Sequence, residues 1–548
     1  MTSRWVCVMS LTLLLGACKL EIQPATGGQA RPSAKATGTC TPATSGAYCG
    51  DFGTSVTLEV IPEPQPGYEF TGWAGDCQGM GICTLTMSAH HTVKAQFTPV
   101  AELALHDTTT DVNELMEQGR LQGACDRYMR APEAASDYLT NMCGKWMFFY
   151  EGFGITGVPK PIVTFMIDNL PNTVGKGFEK FGMVADPTSP EHLPLGFGPG
   201  AKMNGVDTMS YTCASCHFGK TPDGRFAVGL SNHDYDYGRQ LIAMMMTPLA
   251  AALPSQTELS PTAKAAIQPH LDELKANAAY PELLQTLLKL TPVLTGGGSV
   301  PTIDPALQDQ YLSWKPGTQD FIIAPVGMDD HAHTVSKIMP LWNLYTVQEM
   351  EAKGGHGAML GFTGSTTSYD VFLQGFVALS VGNGGAYTAE RMRPLKTYIL
   401  SLKAAKAVQP QDPLLVAAGQ RIFDAQGCAS CHNGPSHAGT RIFSFEEIGT
   451  DAALKRWGDP DLTCKTNVPA VITEPLTHGL KAPRLVGLWA QKRFLHNGSV
   501  DSLEDLLCLN KARPTRMEEP HGDQGHLYGC GELSGEDKKA LVAFLKAL

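Results

Sequence analysis

Alternation of apolar and polar positions predicts β-strands near the start of the chain. Residues Ser55–Ile61 and Thr92–Phe97 both alternate with the period of two that is typical of half-buried strands. They predict a small β module over residues 38–99. The preceding residues 19–37 are rich in Ala, Gly, Pro, Ser and Thr, a composition that predicts a flexible tether.

After about residue 100 the apolar positions repeat with helical spacing. The segments predicted to be helical are Val112–Leu121, Glu133–Tyr150, Leu241–Leu253 and Thr262–Leu290, with Pro269 and Pro281 as breaks or starts. Residues 291–330 are rich in Gly and Pro and are expected to be irregular. The predicted fold class is therefore mainly α, with long irregular loops after the small β module.

The pentapeptide Cys-Ala-Ser-Cys-His occurs twice, at Cys213–His217 and at Cys428–His432. Two thiols three positions apart reach the two vinyl groups of a haem, and the adjacent histidine then binds the iron. A zinc site would need further ligands at short spacing, and a redox dithiol gains nothing from two copies with the same histidine. The sequence predicts two covalently bound haem c groups, attached through Cys213, Cys216, Cys428 and Cys431.

Three helix starts frame these motifs. Thr388 is a predicted N-cap for a helix that extends to residue 403, and Asp412 followed by Pro413 is a favourable cap and first-turn pair. Ser534 precedes an amphipathic helix that reaches the last residue. Helix, haem motif and terminal helix resemble a class I cytochrome c. The expected domains are a first haem domain with insertions over residues 100–403 and a second over residues 412–548.

Residues from about 140 to 548 resemble the di-haem peroxidase superfamily, which includes bacterial di-haem cytochrome c peroxidases, MauG-type enzymes and rubber oxygenases. The resembling stretches are Thr212–Gly219, Trp314–Asp320, Pro340–Trp342, Ala482–Ala490, Phe494–Ser499 and Leu503–Leu507. Gly525-His526 resembles the distal-ligand site of the second haem in the rubber-oxygenase branch.

The resemblance implies axial ligands for each iron. His217 is the expected proximal ligand of the first haem, whose far side is expected to be open. His432 and His526 are expected to ligate the second haem, and Met517 is the rival sixth ligand because classical peroxidases use Met there. Trp314 and Trp342 are candidate electron relays, with a packed core tryptophan as the alternative for each.

Three further features of the family's site cannot be assigned to residues of this sequence: the distal side of the first haem, the catalytic acid or base, and a Ca²⁺ site. The distal side of the first haem has five candidates, His331, His333, His356, Phe362 and Tyr369, none of which the sequence singles out. No catalytic acid or base is assigned, although peroxide cleavage usually needs one. Family members also carry a Ca²⁺ ion between the haems; the sequence has no linear Ca²⁺ loop, and this cofactor stays open.

The stretch Gly67–Cys77, with the closing strand near residue 97, resembles the internalin-type B-repeat of bacterial surface proteins. Such modules are small β folds that act as spacers or adhesive surfaces. A stalk is therefore expected, and a substrate-binding or adhesive role is the alternative.

The N-terminal residues have the pattern of an export signal. Arg4 precedes the apolar run Trp5–Leu15, which is too short for a permanent membrane span. The following Gly-Ala-Cys18 resembles a bacterial lipobox. This implies a signal peptide over residues 1–18, lipidation of Cys18, and an exported protein held at the cell envelope, with Lys19 favouring the outer membrane. Cleavage without a lipid is the alternative.

Cysteine usage also fits an oxidising compartment. The chain has 15 cysteines. Outside the signal and the haem motifs, sequence neighbours suggest the pairs Cys40–Cys49, Cys77–Cys83 and Cys125–Cys143. Two of Cys464, Cys508 and Cys530 are expected to pair, which leaves one thiol.

Composition limits the remaining function classes. Hydrophobic residues make up 43% of the chain and charged residues 17%, which is typical of a folded protein with a sizeable core. The net charge is −11, without a Lys/Arg-rich block, so nucleic acid is not an expected partner.

Together these features predict an exported, peroxidase-like di-haem oxidoreductase. H₂O₂ or O₂ is expected to react at the first haem, while the second transfers electrons from a donor or an organic substrate. Two alternatives stay open: a rubber-oxygenase-like dioxygenase that cleaves a hydrophobic polymer, and a non-enzymatic di-haem electron carrier.

Overall fold

The computed structural model describes residues 17–152, 157–202, 205–294, 303–320, 334–345, 360–361, 363–364, 366, 368–379, 387–439, 441–459 and 474–548. The chain divides into two compact units. Unit 1 comprises residues 1–105 and 116–143, and unit 2 comprises residues 106–115 and 144–548. Both Cys-Ala-Ser-Cys-His motifs belong to unit 2.

The strands of the described residues are, in chain order, β1 Ala17–Gln23, β2 Gly28–Pro32, β3 Gly38–Thr39, β4 Tyr48–Gly53, β5 Thr57–Pro64, β6 Tyr68–Gly75, β7 Cys83–Thr86, β8 His91–Pro99, β9 Thr108–Thr109, β10 Val158–Pro159, β11 Phe197–Pro199, β12 Thr208–Tyr211, β13 Phe218–Lys220, β14 Phe226–Val228, β15 Thr318–Asp320, β16 Val335–Lys337, β17 Ile442–Phe443 and β18 Leu480–Lys481.

The α-helices of the same residues are α1 Val112–Leu115, α2 Leu121–Arg130, α3 Asp137–Tyr150, α4 Lys160–Asn169, α5 Cys213–His217, α6 Tyr237–Ala252, α7 Pro261–Ala276, α8 Tyr280–Leu294, α9 Pro305–Ser313, α10 Tyr369–Leu379, α11 Ala389–Ser401, α12 Pro413–Ala425, α13 Phe445–Ile448, α14 Leu503–Leu506 and α15 Gly535–Ala547. None of these helices is both long enough and apolar enough to cross a membrane.

Unit 1 contains two antiparallel-rich sheets, with strand orders β3-β4-β1-β8-β6 and β2-β5-β7. Strand β8 shows the predicted alternation, because Val93 and Ala95 are buried while their neighbours face outward. Phe70 and Trp73 of β6 lie in the core with their ring centres 4.8 Å apart. The strands predicted from the period of two are thus present, with slightly different bounds.

The expected tether over residues 19–37 is wrong for much of its length. Strand β1 lies between β4 and β8, and β2 pairs with β5. The physical reason is that Leu20 and Ile22 are fully buried on one face of β1, an alternation that the Pro- and Gly-rich composition obscures. Cys18 also lies in β1, with a buried free thiol.

Disulfides hold unit 1 at three points. The pairs Cys40–Cys49, Cys77–Cys83 and Cys125–Cys143 form as predicted. The last of them joins α2 to α3, and the Arg127 guanidinium of α2 lies 4.4 Å from the Phe70 ring centre. A fourth disulfide, Cys508–Cys530, forms in unit 2. Cys464 lies outside the described residues.

Unit 2 contains the same helix crossing twice. In the first, Gly144 of α3 lies so close to α11 that a Cβ there would be 2.1 Å from the Pro394 carbonyl oxygen. In the second, a Cβ on Gly419 of α12 would be 2.0 Å from the Ala540 carbonyl oxygen of α15. The caps predicted at Thr388, Asp412 and Ser534 are all confirmed. Unit 2 therefore has two helix pairs that approach closely at a glycine. That each pair belongs to one cytochrome c-like haem domain stays a prediction of the resemblance.

Replacing Gly419 with alanine is expected to destabilise the second helix pair. The new methyl group would overlap the Ala540 carbonyl and lie 2.6 Å from the Phe544 Cβ, so α12 and α15 must move apart. Such overpacking costs about 1–3 kcal/mol of unfolding free energy. Thermal unfolding of the purified wild-type and variant proteins measures this loss of stability.

Gly375→Ala in α10 is the matched control, because no atom of the described residues lies within 4 Å of a Cβ at that helical position. It should be neutral or stabilising by about 0.5–1 kcal/mol. Equal melting temperatures for the two variants would contradict the close crossing.

Two further helices differ from the sequence prediction. Pro269 lies inside α7 without ending it, whereas Pro281 is near the start of α8. Residues 291–330 were expected to be irregular, yet α9 occupies Pro305–Ser313 behind the N-cap Asp304, whose carboxylate accepts from the Ala306 amide. The single cap residue and the following proline outweigh the loop-like composition around them.

Candidate haem sites

The first motif lies on a single helical turn. The Thr212 hydroxyl caps α5 by accepting from the Ala214 amide at 3.3 Å, and it donates to the Phe149 carbonyl at 3.1 Å. Gly196 permits the turn to pack, because a Cβ there would lie 2.5 Å from the Ser215 nitrogen. Cys213 and Cys216 are thereby held one turn apart, with His217 directly after them.

The thiols of this motif are protonated in the folded chain. Burial raises the pKa of Cys213 and of Cys216 to about 12. The Cys216 thiol donates to the Gln319 Oε1 at 2.9 Å. The two thiols and His217 share one helical turn, which is the arrangement that covalent attachment of a haem requires.

His217 offers a neutral imidazole. Burial lowers its pKa to about 4, an effect that the Met339 backbone carbonyl opposes. A neutral imidazole is the form that binds iron. Within the described part of the chain, no second imidazole packs against the His217 ring.

The second motif orients its histidine more tightly. Cys428–Ser430 forms one turn of 3₁₀ helix, and the His432 amide donates to the Cys428 carbonyl at 3.0 Å. The His432 Nδ1 lies 3.1 Å from the carbonyl oxygens of both His437 and Pro483. These acceptors fix the proton on Nδ1, which leaves Nε2 as the ligand atom.

His526 faces His432 across the second site. The two ring centres are 6.5 Å apart with an interplanar angle of 70°. Metal–imidazole bonds of about 2 Å on both sides would put ring centres roughly 6 Å apart, so the pair fits a shared metal ion. Burial, and then the neighbouring His432, lower the pKa of His526 to about 4. No described residue forms a hydrogen bond with its Nδ1. Met517, the rival ligand, is 65% exposed.

Arg513 holds the loop that carries His526. Its guanidinium donates to the carbonyl oxygens of Gly525 at 3.4 Å and His526 at 3.1 Å, and to those of Asp505, Leu506 and Asp523. The loop needs this support because His526 has a φ of 47°, in the left-handed region that side chains disfavour.

Trp342 connects the two motif regions. Its indole nitrogen donates to the Val228 carbonyl at 2.7 Å, and its own carbonyl accepts from the Arg484 Nε at 3.1 Å. The neighbouring Gly229 amide donates to the His217 carbonyl at 2.7 Å. Pro483, which accepts from His432, is directly before Arg484. A short path through Trp342 therefore leads from one histidine to the other.

Trp314 has a different environment. It stacks on Tyr237 at 15° and meets Tyr311 edge-on at 4.8 Å. Together with Tyr211 and Tyr235 these rings form a buried aromatic cluster beside Cys216. Trp314 thus lies in a packed core next to the first motif, whereas Trp342 lies between the motifs.

Several predicted distal candidates cannot be placed. His331, His333, His356 and Phe362 lie outside the described residues. Tyr369 is buried and its hydroxyl donates to the Tyr345 carbonyl. The described residues bring no three His, Cys, Asp or Glu side chains together as a metal-binding group, and they identify no Ca²⁺ ligands.

Some residues of the site gave no signal in the sequence. Lys337, Lys481, Arg484 and Arg513 are basic residues packed near the second histidine pair. His233 is also buried, and its Nε2 lies 3.1 Å from the Gln491 Oε1. Sequence periodicity predicts burial only for repeated apolar positions. The burial of a single polar residue therefore becomes visible only in the folded structure.

Comparison with known families addresses two parts of the chain. Residues 479–518 match the family described as RoxA-like, cytochrome c-like. The match supports the predicted resemblance of the segment containing Ala482–Ala490 and Phe494–Ser499 to the di-haem superfamily. A cytochrome c-like domain implies covalently bound haem c. Residues 24–101 match the divergent InlB B-repeat domain, which confirms the second resemblance and begins inside the supposed tether.

Similarity to individual proteins is weak. No protein with a curated description matches the chain. Among solved structures, hydrazine synthase of Kuenenia stuttgartiensis under xenon pressure is similar at 16% identity, over 43% of this chain and 78% of that chain. The TM-score is 0.24, which is too low to indicate a shared fold.

Proposed function

We propose that this protein is an exported di-haem c-type oxidoreductase of the peroxidase kind. A haem at the first motif would supply the site where H₂O₂ or O₂ reacts, and a haem at the second would transfer electrons from a donor or an organic substrate. The observation that carries the proposal is that the His432 and His526 ring centres face each other at 6.5 Å, which suits a six-coordinate electron-transfer iron at the second motif.

The residues divide the chemistry between the two sites. Cys213 and Cys216 would attach the first haem with His217 as its protein ligand, and Cys428 and Cys431 would attach the second between His432 and His526. An iron with two strong protein ligands transfers electrons, and one with an open position binds O₂ or peroxide. Trp342 lies between the sites as the favoured electron relay.

Spectroscopy of the protein matured with haem tests this proposal. One high-spin and one low-spin ferric signal are expected by electron paramagnetic resonance, together with cyanide binding at the high-spin iron. Two low-spin signals without cyanide binding would instead establish an electron carrier and overturn the enzyme proposal.

A dioxygenase that cleaves a hydrophobic polymer is the second candidate. It is favoured by the His526 ring opposite His432, since the rubber-oxygenase resemblance implies histidine there and classical peroxidases use methionine. A stable complex of the first haem with O₂, formed without added peroxide, would support it. Turnover that depends on H₂O₂ would support the peroxidase.

Export and anchoring are part of the proposal. Four disulfides in the described residues suit an oxidising compartment. Lipidation of Cys18 would require the start of β1 to leave the sheet, because that thiol is buried. The B-repeat-like module would then be a spacer between the membrane and the haem sites.

A further inference from the structure

Lys481 is a buried basic residue beside the second motif. It lies in β18 and is 5% exposed, two residues before the Pro483 carbonyl that accepts from His432. Within the described residues it has no ion pair. Burial, and then the nearby Arg484 charge, lower the pKa of Lys481 to about 7. A buried charge without a partner is costly, so such a residue usually serves a ligand or an opposite charge.

Lys337 is a second basic residue near the histidine pair, and it is half-buried. It ends β16, and its Nζ lies 5.9 Å from the Phe494 ring centre. Its charge acts on His526 and on His496, whose pKa values it lowers. Burial lowers the pKa of Lys337 itself to about 8, and no carboxylate of the described residues pairs with it.

The two arginines nearby differ from the lysines because the protein already satisfies them. Arg484 donates to the Pro340 and Trp342 carbonyl oxygens, at 2.8 and 3.1 Å. Arg513 donates to five carbonyl oxygens of its own loop region. Among the residues that the structure describes, no carbonyl oxygen accepts from either lysine side chain. Lys481 acts electrostatically on His432 and Lys337 on His526, so one uncompensated cation accompanies each ring.

We propose that Lys481 and Lys337 bind the acidic groups of the cofactor at the second site, namely the two propionate carboxylates of a haem. This inference rests on the proposed function, since it takes haem as the occupant. A carboxylate next to a desolvated ammonium group forms a charge-assisted hydrogen bond. The lysines would also favour the reduced iron over the more positive oxidised iron and so raise the reduction potential of this centre.

Potentiometric titration of the low-spin haem in the full-length, haem-loaded protein tests the inference. Lys481→Met should lower the equilibrium constant for reduction by tenfold or more, which corresponds to 59 mV for one electron. Lys481→Arg keeps the charge and should restore most of the potential. Lys337→Met should lower the potential in the same direction. Lys289→Met, on the exposed face of α8, is the control and should leave the potential unchanged.

Haem content and the low-spin spectrum are recorded first for every variant. Two haems per chain with unchanged potentials in both lysine-to-methionine variants would overturn the inference and leave the proposed function intact. A wild-type chain without covalent haem would overturn the proposed function instead. If Lys481→Met does not fold, Lys337→Met supplies the same measurement from the other side of the pair.

Discussion

Replacing His526 with alanine is expected to convert the second haem from a six-coordinate low-spin centre into a high-spin one. The His432 ring would then face an open position, since the structure brings no other imidazole to 6.5 Å from it among the described residues. Nearly all of the low-spin ferric signal should disappear, and cyanide should bind at both irons. Electron paramagnetic resonance and cyanide titration measure the change.

Met517→Ala is the matched control for this experiment. The Met517 side chain is 65% exposed, so its removal should leave the low-spin signal unchanged. His521→Ala is a second control, because this histidine lies in the same loop and its Nε2 is near the Ser313 hydroxyl, at 3.3 Å. A low-spin signal that survives His526→Ala but disappears in Met517→Ala would assign the ligand to Met517.

Removing both cysteines of either motif is expected to halve the covalent haem content. Cys428→Ser combined with Cys431→Ser should leave one haem per chain, and the corresponding pair at Cys213 and Cys216 should leave the other. The reason is that thioether bonds, rather than affinity, retain haem c. The pyridine haemochrome absorbance per mole of protein gives the number of haem groups per chain.

Cys40→Ser with Cys49→Ser is the control pair, since it removes a disulfide of unit 1 and no haem-attachment residue. This variant should keep two haems per chain. The loss of the disulfide should lower the free energy of unfolding by about 2–4 kcal/mol. Stoichiometric zinc in place of haem in the wild-type chain would contradict the assignment of both motifs.

The features predicted correctly from sequence are those that neighbouring residues determine. The caps at Thr388, Asp412 and Ser534 depend on a side chain and an amide two or three positions away. The disulfides Cys40–Cys49 and Cys77–Cys83 join sequence neighbours. Bounds moved by only a few residues, as in α6, which begins at Tyr237 instead of Leu241.

Long-range pairing was predicted less well. Strand β1 pairs with β8, so that Leu20 lies beside His91, and no local pattern indicates that partner. Composition then favoured a tether, although burial of Leu20 and Ile22 offsets the entropy of ordering the segment. The helix crossings at Gly144 and Gly419 likewise appear only when distant helices meet.

In the candidate site too, local motifs could be predicted from the sequence, whereas contacts between distant residues could not. The motifs identify Cys213, Cys216 and His217 directly, whereas the position of His526 opposite His432 came from resemblance and from the fold. Lys481 illustrates what sequence reasoning missed, because an isolated lysine is normally interpreted as solvent-exposed. Its 5% exposure follows from the pairing of β18 with β17, which places Lys481 opposite Ile442.

The order of the chain has a consequence for biosynthesis. Both attachment motifs emerge from the ribosome before residue 479, but Pro483, Arg484, Arg513 and His526 all follow it. A nascent or truncated chain would therefore have its thiols ready for haem while the partner of His432, the acceptor that orients His432 and the contacts that lock Trp342 were still missing. The last segment to be synthesised would thus supply the second ligand of that iron and the contacts that position Trp342, so a proteolytic cut within it should leave the second iron with an open coordination position.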